Sequence, residues 1–237
     1  MLTKSQIKLI NSLKQKKFRI QHQLFVVEGL KVVQEFLNSD YELVEIFAVD
    51  DHFSQYNQKL TRVDAKELSK ISGFSTPNKV VAAFKIPSPK AINWSALVVA
   101  LDSINDPGNL GTIIRIADWF GIQQIICSPT CVDVYSPKVV QATMGSIFHI
   151  EVVYSDLQQV FEKKGQLPVY AALLQGDDIF EADFSQKGFI LMGNESQGIQ
   201  QKYFKYMDKA ITISRKGKAE SLNVAVATSI ICAVACR

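Results

Sequence analysis

The sequence predicts an α/β fold: an open parallel sheet covered by helices on both faces, preceded by a smaller α/β domain. Three observations carry this. From Leu97 onward, short apolar runs alternate with helical patterns, which is how a parallel sheet with crossover helices is written. The run "ALVVAL" at 96–101 is apolar without polar alternation, as expected of a strand buried on both faces. The segment "KIPSPKAINW" at 85–94 has two prolines and few core-type residues, so it reads as a linker. The domains are therefore set at 1–86 and 96–237, joined by 87–95.

The elements follow in order. Residues 3–17, "TKSQIKLINSLKQKK", place Ile7, Leu9, Ile10 and Leu13 at helical spacing. "LFVVEG" reads as a strand, "LKVVQEFLNS" as a helix, "LVEIFAV" as a strand, "DAKELSKIS" as a helix capped by Asp64, and "KVVAAF" as a strand. Beyond the linker come the strand at 97–101, a helix at 109–120, the strand "QQIICS", and the helix "SPKVVQATMG" with Ser136 as cap and Pro137 in its first turn. The strand "IEVVY", a helix at 155–164, the strands "PVYAALL", "GFILMG" and "KAITIS", and a helix at 222–236 complete the chain.

Composition sets limits. The 237 residues suit one or two domains. A hydrophobic content of 47% with 21% charged residues is that of a globular protein with a substantial core. No apolar run follows the first lysines as in a signal peptide. The apolar tail from Val224 to Cys236 is shorter than the ~20 residues that span a bilayer and is interrupted by Thr228 and Ser229. A cytoplasmic protein that engages no membrane is expected. The cysteines form two CxxxC pairs, Cys127/Cys131 and Cys232/Cys236. Zinc ligands can have such spacing, but no His or acid lies near the second pair, and buried reduced thiols account for all four. No metal is expected.

Net charge is only +3, yet residues 1–24 carry Lys4, Lys8, Lys14, Lys16, Lys17 and Arg19 with no acid. Such an arm can neutralise phosphates. On charge alone, a solvated helix face explains it equally well.

Three loops at the carboxyl ends of strands, where ligands bind in such sheets, have unusual chemistry. They are "NDPGNLG" at 105–111, "GNESQG" at 193–198 and "RKGKAESLN" at 215–223. Singly, each has a structural explanation: Gly108 and Gly111 form a turn, Asn109 caps a helix, and Ser221 caps the last helix. Neither a Walker loop nor a Rossmann GxGxxG is present.

Taken together, Asn109…Arg115, "GNESQG" and "SLNVAVA", in that order and on those elements, resemble the three motifs of the SpoU/TrmH family. These are RNA ribose 2′-O-methyltransferases of the SPOUT superfamily. The resemblance covers the region from Leu97 onward. More loosely, "FVVEGLKVVQEFL" resembles the L30e-like substrate-binding domain of the rRNA-methylating branch. The resemblance implies a deep C-terminal trefoil knot, a homodimer with residues of both subunits near each site, and S-adenosyl-L-methionine as cofactor. It implies that Leu173, Met192, Gly193, Asn194, Gly198, Ile211, Ile213 and Leu222 hold the cofactor. Asn109, Arg115, Glu195, Ser221 and Asn223 would form the catalytic set, with Ser221 and Asn223 on the polar side and Glu195 orienting Arg115 or the RNA. Gly193, lacking a Cβ, would let backbone approach the ligand closely. The last helix, apolar on more than one face, fits a dimer. One departure stands out: where the family often has Ile-Pro-Met, this chain has Ile213-Ser214-Arg215.

The family arginine is proposed as a general base, but a guanidinium has a pKa above about 12. Arg115 is better suited to hold the phosphate beside the target ribose and to stabilise the developing 2′-alkoxide. The bland alternative is an arginine snorkelling from a core helix or pairing with Asp118. The expected activity is methylation of RNA, with rRNA of the 23S type favoured over tRNA. Lys14, Lys16, Lys17 and Arg19 would contact RNA phosphates. The competing class is a non-catalytic RNA-binding ribosome-assembly factor of the same fold, against which the intact catalytic set speaks.

Overall fold

The computed structural model describes residues 1–237. It divides into two compact units, 1–88 with 133–148, and 89–132 with 149–237.

The first unit carries α1 (Lys4–Ser12), α2 (Lys16–His22), β1 (Leu24–Glu28), α3 (Leu30–Leu37), β2 (Leu43–Ala48), β3 (Leu60–Arg62), α4 (Ala65–Ser69) and β4 (Val80–Lys85). Its sheet has the order β1-β4-β2-β3, antiparallel except for the β2–β3 pair. Strand β3 lies between Lys59 and Val63, in a stretch without a clear strand pattern. Asp64 caps α4 as expected, in a reciprocal box with Glu67.

The helical pattern at 3–17 is two helices rather than one. A reciprocal cap between Thr3 and Gln6 opens α1, and the chain turns over Leu13–Gln15 before α2 begins. The reason is inward packing. Leu13 and Arg19 are both buried; on a continuous helix they would lie roughly 120° apart. The break brings them to the same side, and the Arg19 guanidinium donates to the Leu13 carbonyl at 2.7 Å.

That contact corrects one expectation. Arg19 is not a surface cation for RNA: it is 2% exposed, donates through Nε to Asp133 Oδ2 at 2.7 Å, and approaches the same oxygen through a terminal nitrogen at 2.6 Å. Lys14 is partly committed too, donating to Asn11 Oδ1 and to the Ser72 carbonyl, while the Lys17 ammonium lies 4.7 Å from the Phe18 ring centroid.

Residues 133–148, which the sequence places in the second domain, pack in the first unit. Tyr135 stacks on Phe25 at 4.7 Å and Phe148 meets Phe36 edge-on at 4.5 Å, joining an aromatic core completed by Tyr41 and Phe84. Helix α5 (Pro107–Trp119) precedes this segment, and the segment's own helix, α6 (Pro137–Ala142), has the expected Ser136 cap and packs against β1.

The second unit holds β5 (Leu97–Leu101), β6 (Gln124–Cys127), β7 (Glu151–Tyr154), α7 (Leu157–Glu162), β8 (Val169–Asp178), β9 (Gly188–Met192), β10 (Lys209–Thr212) and α8 (Val224–Ala235). Its sheet is parallel throughout, in the order β10-β8-β9-β5-β6-β7. The central strand β5 is buried along its whole length, as its unbroken apolar run requires. Helix α8 packs against α5. No helix is long and apolar enough to cross a membrane.

Two helix starts differ from expectation. Helix α5 begins at Pro107 under an Asp106 cap, so Asn109 lies inside the first turn and is free to use its side chain elsewhere. Helix α8 begins at Val224, and its cap is Asn223 rather than Ser221.

Candidate active site

The chain leaves β5 toward β6 and β7 on one side and returns to β9 on the other. The crevice beyond the carboxyl ends of β5 and β9 is therefore the topological switch point, where open α/β sheets bind ligands. The loops after β5 and β9 meet there.

Their meeting is built from hydrogen bonds. Asn109 Nδ2 donates to Glu195 Oε1 at 2.6 Å, and Asn223 Nδ2 donates to Asn109 Oδ1 at 2.9 Å. Asn223 Oδ1 in turn accepts from the Ala225 amide at 2.9 Å, capping α8. Each asparagine amide is thus oriented without ambiguity: a carboxylate can only accept, and a helix N-terminal amide can only donate. Three residues from three separated motifs form one polar chain. The sequence grouped them but could not give the order of contact.

Arg115 stands apart. It is exposed, and six residues beyond Asn109 on a helix it lies roughly 9 Å along the axis and 120° around. Within one chain Glu195 accepts from Asn109 and makes no contact with Arg115. The bland pairing with Asp118 is absent as well, because that carboxylate contacts His149 Nδ1 at 3.1 Å. Arg115 shares its face of α5 with exposed Thr112 and with Trp119, which is 85% exposed.

Residues outside the predicted set hold the loops in place. Asp102, fully buried at the end of β5, accepts from the Gln200 backbone amide at 2.8 Å and from its side chain. Ser103 has φ +59°, a left-handed conformation uncommon for serine, and its carbonyl accepts from Asn194 Nδ2 at 2.7 Å. Below it, the Ile104 amide donates to Cys131 Sγ at 3.3 Å. The Cys131 thiol is lowered to about 7, chiefly by a hydrogen bond from Cys127 and further by Ser128 and the backbone at Ile104, against the opposing effect of burial. An aspartate directly after an apolar strand was the available signal for this support.

Gly193 is required by the fold of its own loop. A Cβ there would lie 2.3 Å from the Gly198 carbonyl carbon and 2.4 Å from the Ile199 nitrogen. The space is filled by the loop's own return, closed by the paired Asn194–Gly198 backbone bonds at 3.0 and 2.8 Å. The Asn194 side chain is likewise occupied, accepting from the Ser196 and Gln197 amides.

The remaining predicted residues surround the ends of β8, β9 and β10. Met192 and Ile211 are buried, Leu173 and Ile213 half-buried, and Leu222 half-exposed. Leu173 lies in an excursion of β8: the register with β10 steps from Ala171↔Ala210 to Asp177↔Ile211. Gly176 permits it, since a Cβ there would meet the Ala210 carbonyl oxygen at 2.5 Å. None of the backbone N–H groups of residues 213–222 is engaged within the chain. Apolar side chains beside open backbone donors suit an adenine ring and its polar edge, so these residues fit S-adenosylmethionine. Ser221 is exposed, two residues from the polar chain.

An open parallel sheet with a polar constellation of asparagines and a glutamate at its switch point defines a ligand-binding site of the open α/β class. The SpoU rRNA Methylase family model matches residues 96–233, and the MRM3-like substrate binding domain matches residues 4–82. The chain is 31% identical over 223 residues to the Bacillus subtilis 23S rRNA (guanosine(2553)-2′-O)-methyltransferase RlmP, covering 91% of this chain and 90% of that protein. Among solved structures, an AdoMet-bound rRNA methyltransferase from Sinorhizobium meliloti superposes with TM-score 0.87 at 32% identity, covering 99% of this chain and 95% of that one. A Porphyromonas gingivalis protein assigned to the TrmH family superposes with TM-score 0.92 at 32% identity, covering 99% and 98%. The chain belongs to the SpoU rRNA methylase family.

Proposed function

We propose that this chain transfers a methyl group from S-adenosylmethionine to a ribose 2′-hydroxyl of ribosomal RNA of the 23S type. The observation that carries the reading is the polar chain Glu195–Asn109–Asn223 at the switch point, in a member of this family whose relative RlmP is named for that reaction. Bound S-adenosylmethionine supplies an electrophilic methyl on its sulfonium. Leu173, Met192, Ile211, Ile213 and Leu222 provide the apolar walls for it, and the 193–198 loop its boundary. Asn109 and Asn223, fixed by the cap of α8, orient the ribose, which alone is worth several kcal/mol, on the order of 7 in well-aligned cases. Ser221 adds a hydroxyl on the same side. Arg115 holds the adjacent phosphate and stabilises the alkoxide as the hydroxyl loses its proton.

The first domain captures the RNA, with Lys14, Lys16 and Lys17 at phosphates. Two copies of the chain associate through the face of α5 bearing Thr112, Arg115 and Trp119, which brings the arginine of one copy to the site of the other. A bare tryptophan beside an unpaired guanidinium supports this. The knot implied by the resemblance belongs to the same reading, supported by the return of the chain from β10 to the face of α5. A cytoplasmic location belongs to the same reading, supported by the likeness to the Bacillus subtilis enzyme. Mapping ribose methylation across total RNA with and without the gene tests the proposal: one rRNA site should lose its methyl group. A site lost from tRNA instead would move the substrate, and no site lost would favour the non-catalytic assembly factor.

A further inference from the structure

We propose that the loop between β10 and α8 is a pre-shaped clamp for the RNA backbone, with Lys216 and Lys218 binding the phosphates that flank the target ribose. This rests on the reading of the chain as an RNA methyltransferase and names the part of the site that grips the substrate.

The loop is held at two places. At its base, Ser214 donates to Asp178 at the end of β8, a contact that holds the Asp178 carboxyl below the usual carboxylate range, with help from the Phe180 amide. Across its neck, the Arg215 guanidinium donates to the Ala219 carbonyl at 2.9 Å. Between these ties the tip, Lys216-Gly217-Lys218, is exposed, and the side of Gly217 faces open space. Neither lysine has an ion pair or hydrogen bond within the chain. Four residues past the neck, Asn223 donates to Asn109, so the clamp is anchored to the polar chain at the switch point.

The charge selects the ligand. Within residues 215–220 there are three cations and one carboxylate, Glu220. S-adenosylmethionine carries a sulfonium and an ammonium against one carboxylate, so it is itself net cationic, and the lysine side chains of the tip, unlike the backbone donors of this loop, do not suit it. A ribose 2′-hydroxyl sits between two phosphates of a polyanion, and two exposed lysines on a short stapled loop offer one cation to each. Arg19, in contrast, is bound to Asp133 and cannot share this task.

The test uses full-length protein and unmodified rRNA transcript. Lys216→Gln with Lys218→Gln should raise KM for RNA five- to tenfold near physiological salt, with kcat changed less than twofold. Each phosphate contact on a single strand contributes about 0.7 to the slope of log affinity against log salt, so the slope should flatten by about 1.4. Cofactor binding by calorimetry and the melting temperature should match wild type. Lys216→Arg with Lys218→Arg should restore the slope. An unchanged slope would overturn the proposal and leave the lysines as solvated charges. Loss of cofactor binding with an unchanged slope would overturn it in favour of a cofactor-carboxylate role. If wild type binds RNA with the steeper slope yet methylates nothing, the parent reading fails while the clamp stands.

Discussion

Arg19 and Arg115 lie in different regions and have exchanged the environments that local sequence suggests. Arg19 sits among lysines in an acid-free segment, yet it is buried and paired with Asp133. Arg115 sits among isoleucines, yet it is exposed and unpaired. The difference comes from partners distant in sequence. Asp133 is 114 residues from Arg19, whereas α5 buries Leu110, Ile113, Ile114 and Ala117 as one stripe that leaves position 115 outside. A cation in a polar neighbourhood serves stability, and one in an apolar neighbourhood is left free for chemistry.

The largest expected effect breaks the first half of this comparison. Arg19→Ala leaves the Asp133 carboxylate without its cation, and breaking a buried pair by removing one partner costs about 3–5 kcal/mol. Denaturant unfolding should register that loss, and it should exceed the loss in Arg115→Ala, whose side chain leaves no buried partner within its own chain. A stable Arg19→Ala protein would mean that the pair contributes little to the fold.

Next in size is catalysis. Arg115→Ala should reduce single-turnover methylation by ~10²–10³, the usual loss for one preorganised electrostatic partner, with cofactor binding intact. Arg115→Lys should also fail, because lysine keeps the charge and loses the planar fork. The variant should retain the wild-type pH dependence between pH 6 and 10. A limb present in wild type and absent from Arg115→Ala would mean that the arginine is the base.

A smaller effect concerns the support below the 102–106 loop. The Cys131 thiol is lowered from 9.0 to about 7 in the folded chain. Below that range both states are protonated and the thiol contributes nothing. As pH rises toward 9 the folded state releases its proton first and stability increases, by at most about 2.7 kcal/mol for a two-unit shift. Unfolding measured from pH 6 to 9.5 should show this rise in wild type and not in Cys131→Ala.

The smallest sharpens the site itself. Asn223→Ala removes the cap of α8, worth about 1 kcal/mol, and also frees the Asn109 amide. Asn223→Asp keeps the cap but cannot donate to Asn109. It should therefore restore stability without restoring methylation.

Much of this was legible in the sequence because it is local. The parallel sheet follows from apolar runs such as "LVVAL", and the Asp64 and Ser136 caps follow from spacing alone. The candidate site was legible as three motifs, but not as the contact Asn223→Asn109→Glu195, which spans 114 and 86 residues. The break before α2 is a tertiary effect, driven by the inward turn of Arg19. The membership of 133–148 in the first unit depends on Tyr135 and Phe148 reaching Phe25 and Phe36. The fold's own demand for Gly193 was not legible, because a missing Cβ makes room equally for a ligand and for the chain's own backbone.

The most direct test is a single reaction. Purified protein, S-adenosylmethionine with a labelled methyl group and unmodified 23S-type rRNA are incubated, and the RNA is hydrolysed in alkali. A 2′-O-methyl group removes the hydroxyl that attacks the neighbouring phosphate, so label is predicted in an alkali-resistant dinucleotide, and Arg115→Ala should abolish it. Label recovered in ordinary mononucleotides, or none transferred by folded protein that binds the cofactor, would contradict the account.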